Sequence, residues 1–93
     1  MPVLHAREGI RRTPADDQGA VLMDAHRDRF YGLNPAAAVI WHAVADGTEV
    51  TAAAAIAARA LLAAFSIDPA TAQRDAESHL AVLTGHGLLQ ERP

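Results

Sequence analysis

Two dipeptides, Asn34-Pro35 and Asp68-Pro69, constrain this chain most. Each sets a helix-capping side chain ahead of a proline, whose missing N–H costs nothing at the first helical position. The first opens a helix in which Ala37, Ile40, Trp41 and Val44 recur at helical spacing, and Gly47 ends it. The second opens a helix from Pro69 to Gly85, with Ala72, Ala76, Leu80 and Leu83 on its inner face. Between them a further helix is predicted from Ala52 to Phe65. Thr51 is its cap and Thr48 an alternative start, and Ala53, Ala57, Ala60, Leu61 and Ala64 form its buried stripe. Gly85-His86-Gly87 stops the last helix, and Leu88-Leu89 packs the tail back.

Ahead of Asn34 the signals change to strands. Ile10 to Thr13 is a short strand closed by Pro14, and Asp16-Asp17-Gln18-Gly19 is a turn. Ala20 to Asp24 is a compact apolar run of strand length. Ala25 to Asp28 turns the chain without the Gly that eases a tight hairpin. Arg29-Phe30-Tyr31-Gly32-Leu33 is the third strand. Short connections favour antiparallel neighbours. The expected fold is therefore α+β and winged-helix-like: a three-stranded antiparallel sheet followed by three helices, in one domain spanning 1–93. Residues 1–8 are expected to be a frayed arm.

Composition removes several functions. The chain has 93 residues and no cysteine, so disulfides and thiol chemistry are excluded. Residues 1–12 carry charges and no apolar run, so they do not read as a signal peptide. The least charged stretch, Val50 to Ile67, is broken by Arg59 and dominated by Ala, too weak to span a bilayer. No membrane association and a cytoplasmic location are expected. Asp75 and His79 have metal-ligand spacing, but His86 lies too far along the helix to join them. Ser66 and Ser78 sit in no nucleophile elbow, and no glycine loop cradles a phosphate. No enzymatic activity, metal or cofactor is expected.

Two binding readings remain. A winged-helix DNA-binding regulator would read DNA with the third helix, but there Arg74 faces Asp75 and Glu77, and the whole chain is −3. Nucleic acid is therefore not expected as a partner. The other reading rests on the third strand, an edge if the sheet runs in chain order. Phe30 to Leu33 has neither charge nor proline to blunt it. An open edge suits capture of a peptide as an added strand, or a weak homodimer through the same edge. Alternation puts Tyr31 and Leu33 on one face and Phe30 and Gly32 on the other.

Several segments in order, Gly19 to Asp24, Phe30 to Pro35, Ile40-Trp41, Asp46-Gly47, Asp68-Pro69 and Leu83 with Gly87-Leu88-Leu89, resemble the PqqD-type family of RiPP recognition elements. The likeness covers about residues 9–90. Within the family, the chain looks most like the stand-alone B1 proteins of lasso-peptide biosynthesis. It lacks the Pro-Glu-Gly segment typical of PqqD proper, Asp28 stands where the family's hairpin has Gly, and its second helix is longer than the family's by a few residues.

The resemblance implies a non-catalytic domain that binds the leader of a precursor peptide. The leader would lie as an antiparallel strand on the third strand, in a groove walled by the third helix. A separate B2-type leader peptidase would then receive it. Carried onto this sequence, the edge is Arg29, Phe30, Tyr31, Gly32 and Leu33. On the third helix Asp75, His79, Val82 and His86 share one flank, and Gln73, Glu77 and Thr84 the other. The first flank has the apolar Val82, so Asp75, His79 and Val82 are the expected helix-side contacts.

Overall fold

The computed structural model describes residues 1–15 and 17–93. Its elements are β1 (Val3–Ala6), β2 (Ile10–Pro14), β3 (Ala20–Asp24), β4 (Arg29–Leu33), α1 (Pro35–Val44), β5 (Thr48–Glu49), α2 (Val50–Ala64), α3 (Pro69–Gly85) and β6 (Leu89–Arg92). The expected meander is present as an antiparallel sheet in the order β2-β3-β4. Its register sets Arg12 and Tyr31 on either side of Leu22, and Ile10 and Arg29 on either side of Asp24. Along β3, Ala20, Leu22 and Asp24 are buried while Val21 and Met23 are half-buried, the period-two pattern of a sheet covered on one face. Asp16, expected in the turn after β2, lies outside the described residues. Asp17 does turn the chain there, its carboxylate accepting from the N–H of Gly19 at 3.1 Å.

The expectation of a frayed arm over residues 1–8 is corrected. Val3–Ala6 is the middle strand of a second antiparallel sheet, ordered β5-β1-β6. Leu4 pairs with Thr48 on one side and Glu91 on the other, and its side chain is only 6 % exposed. A four-residue strand with one inward side chain carries almost no periodic signal. What holds β1 is pairing with segments more than 40 residues distant in the chain, which local pattern does not encode. The same sheet moves the start of α2. Thr48 and Glu49 are taken up in β5, so the helix begins at Val50 with Glu49 at the cap position and no side-chain capping bond. Its buried stripe is Ala53, Ala57, Ala58 and Leu61; Ala64 is exposed and Ala60 half-buried.

Both cap-and-proline signals act as expected. The Asn34 carboxamide oxygen accepts from the N–H of Ala37 at 2.8 Å. Asp68 accepts from the N–H and the hydroxyl of Thr71. These helix starts aim α1 and α3 at one core, where Leu22, Ile40, Val44 and Leu61 lose almost all contact with solvent. Each such side chain contributes about 1.5–3 kcal/mol of transfer free energy. Among the described residues no helix is long and apolar enough to cross a membrane.

Three outcomes are expected. Leu4→Ala should cost about 2–5 kcal/mol in denaturant unfolding, as for other buried leucines; no loss would restore the frayed arm. Gly9 has φ +90, and a Cβ there would collide with the His26 ring. Gly9→Ala should therefore cost about 1–3 kcal/mol, and adding His26→Ala should recover the collision but not the backbone strain, read from melting curves. The Thr71 hydroxyl, and less its N–H, holds the Asp68 carboxyl below its ordinary 3.8. The cap's contribution is then full above that ordinary value and lost as pH falls through the lowered one. Asp68→Ala and the parent should converge in stability only in strong acid.

Candidate peptide-binding site

The β4 edge is held by the turn that leads into it. Asp24 ends β3 with its carboxylate 1 % exposed. One oxygen accepts from the N–H groups of His26 and Arg27, at 3.1 and 3.2 Å. The other lies 3.7 Å from Arg27 Nε and has no hydrogen-bond partner. This folds Ala25–Asp28 back on itself without glycine. Asp28 takes the position that needs left-handed backbone, with φ +54, a conformation Asp tolerates better than most residues. The chain leaves this turn as β4 at the margin of the sheet.

Alternation then divides the edge residues. Tyr31 and Leu33 are half-buried and pack against the core, while Phe30 is 67 % exposed on the opposite face. Phe30 sits across from half-buried Met23, which in turn faces Arg11. At Gly32 a Cβ would meet nothing within 4 Å, so that face is open beside Phe30.

On the inner side β4 meets the end of α3. The rings of Tyr31 and His86 are 5.5 Å apart and inclined by 49°, an aromatic contact that ties the strand to the helix cap. Arg27 Nη1 donates to the His86 carbonyl at 3.2 Å from the same hairpin. Val82, His79 and Asp75 follow His86 back along α3 at intervals of four, three and four, so they share its flank. Val82 is 54 % exposed, and Asp75 and His79 are half-buried. The His79 ring nitrogen Nδ1 donates to the Asp75 carbonyl oxygen at 2.8 Å, which fixes the ring against its own helix. The other flank is engaged elsewhere: Glu77, Ala81 and Thr84 line a hollow with Leu4, Val50 and Ala53.

The structure thus brings Tyr31 to the α3 flank predicted to carry Asp75, His79 and Val82, and leaves Phe30 outside it. Sequence reasoning placed His86 on that flank without counting it as a contact; its spacing from Val82 was the available signal. Arg27 carried no local signal at all.

The family model of coenzyme PQQ synthesis protein D (PqqD) matches residues 19–89. The chain belongs to the PqqD family. No curated protein matches it in sequence. Among solved structures, the PqqD-family fold seen here is similar to a lasso peptide synthetase B1 complexed with the leader peptide, at 25 % identity and a TM-score of 0.75. The match covers 94 % of this chain and 96 % of that one. TbiB1 in complex with the TbiA(beta) leader peptide has a similar fold, with a TM-score of 0.73 at 23 % identity, covering 92 % and 94 % of the two chains.

In this PqqD-family chain the hairpin carboxylate is the element that sets the edge. Asp24→Ala strips the turn's two N–H groups and Arg27 of their partner and should cost about 1–3 kcal/mol. Asp24→Asn, which keeps the accepting oxygen, should cost less. Equal losses in urea unfolding would mean that the charge, not the turn, is what matters.

Proposed function

We propose that this protein recognises the leader of a ribosomally made precursor peptide in lasso-peptide biosynthesis, taking the leader as an added strand along β4. It presents that leader to a separate B2-type leader peptidase and catalyses no step itself. The observation that carries this reading is the placement of β4. It is an edge strand without proline that meets the end of α3 through the Tyr31–His86 contact on its inner side and carries the exposed Phe30 on its outer face. Strand addition supplies affinity through main-chain hydrogen bonds, and alternate side chains of the guest fall to the two sides. On the inner side Tyr31 and Val82 offer apolar contact, with Asp75 and His79 as hydrogen-bonding groups. On the outer side Phe30 and the open surface at Gly32 receive the intervening side chains. Family membership and the two similar B1 proteins, each in complex with a leader peptide, support the same reading. Antiparallel addition is favoured because antiparallel pairs outnumber parallel ones. Without leader, the same edge pairs weakly with a second copy, and leader displaces it.

A labelled leader from the precursor encoded beside this gene should bind with sub-micromolar affinity and little salt dependence. Tight duplex DNA binding with a steep salt slope and no leader binding would replace this reading with that of a DNA-binding regulator. A proline scan from Arg29 to Leu33 tests the edge itself. In an antiparallel strand alternate N–H groups point outward. Proline at those positions should abolish leader binding while the melting temperature holds; retained binding throughout would refute strand addition. Val82→Asp should weaken binding at least tenfold, in keeping with a buried apolar contact replaced by an unpaired charge, with little change in melting temperature.

A further inference from the structure

Three connectors meet at the hairpin end of the β4 edge: the Arg7–Gly9 link between β1 and β2, the Ala25–Asp28 turn, and the His86–Leu88 link after α3. At their centre Gly87, with φ +74, carries no side chain. Arg27 Nη1 and Nη2 stand 2.9 and 3.2 Å from the point a Cβ would occupy, and Arg7 Nη1 stands 3.3 Å from it. Two guanidinium groups therefore converge on one spot. Arg27 is accounted for: its Nε faces Asp24, and its Nη1 donates to a carbonyl at the C-terminal end of α3, where a cation is favoured. Arg7 is not. Among the described residues the Arg27–Asp24 contact is the one ion pair, and the Arg7 side chain has no hydrogen-bond acceptor. Arg7 opens, with Glu8, His26 and Gln90, onto a hollow of about 310 Å³. Glu8 lies beyond ion-pair distance of either arginine.

We infer that Arg7 and Arg27 form a carboxylate-binding site for an acidic side chain of the bound peptide, just downstream of the residues paired with β4. This rests on the reading of β4 given above. Like charges held together repel, and an anion between them removes that cost. Guanidinium groups hold carboxylates through paired, charge-assisted hydrogen bonds. Direction supplies the position. A guest strand antiparallel to β4 enters opposite Leu33 and leaves past Arg29, towards Arg27. Arg27 lies two positions ahead of Arg29, so the corner is met within the first few residues past the paired segment. Glu8 at its rim repels an unspecific anion, so a carboxylate delivered by a tethered peptide is favoured over a free one.

The test is selection of a displayed library of random 16-residue peptides on the intact protein, on Arg7→Gln, and on a β4 proline variant that still folds. Arg7→Gln removes no hydrogen bond or ion pair and relieves the repulsion with Arg27, so its melting temperature should be no lower than the parent's. Arg27→Gln serves as a second variant, since loss of either charge should act alike. Peptides enriched on the parent should carry Asp or Glu at a fixed distance downstream of the paired segment, about tenfold above the library background. That preference should fall to background on Arg7→Gln. Peptides that depend on β4 but show no acidic preference, or keep it on Arg7→Gln, would overturn the carboxylate site alone. Enrichment indifferent to the β4 proline would overturn the reading of β4 and this site with it. A preference met equally by free phosphate, seen as loss of the acidic selection when phosphate competes at millimolar level, would reassign the site to a free anion and overturn its role in peptide choice.

Discussion

A strand at the margin of a sheet has outward N–H and C=O groups that its own sheet cannot satisfy. In this chain β4 is such a strand, and most of the architecture explains why it is left that way. Its inner side chains, Tyr31 and Leu33, are spent on the core. Its partner β3 is fixed by buried Leu22 and Asp24, so it cannot slip by one residue without turning both to solvent. α3 touches Tyr31 through His86 at its end. Among the described residues the outer edge of β4 has no strand beside it.

The hairpin before β4 shows how sequence and geometry trade one device for another. Where a glycine would ordinarily supply left-handed backbone, Asp28 supplies it, and the buried Asp24 carboxylate gathers the turn's N–H groups. The same carboxylate positions Arg27, whose guanidinium reaches the end of α3. One buried acid therefore links the turn, the edge strand and the end of α3. The link also places positive charge at the C-terminal end of α3.

Much of this was legible in the sequence because it is local. Asn34-Pro35 and Asp68-Pro69 mark two helix starts through chemistry confined to a few residues. The alternation of Ala20 to Asp24 and Arg29 to Leu33 marks two strands. The helix-side residues followed from 100° geometry applied to Ala72, Ala76, Leu80 and Leu83, and of the flank so drawn His86 is the residue that meets Tyr31. What escaped is non-local. β1 is a strand only because Thr48–Glu49 and Leu89–Arg92 come to lie beside it, and a four-residue stretch is too short to show a period of its own. Glu49 replaces the expected threonine as cap for the same reason. The meeting of Arg7, Arg27 and Gly87 joins residues from three distant connectors, and no spacing rule gathers them.

The central claim is that the outward peptide groups of β4 receive a foreign backbone. Amide hydrogen exchange resolved by residue, with and without saturating leader, measures this directly. Strand addition requires the alternate, outward amides between Arg29 and Leu33 to slow sharply on binding, while those already bonded to β3 change little. If leader binds but those outward amides exchange as before, with new protection confined to α3 or to the outer face around Phe30, the peptide is held by side chains alone and the account is wrong.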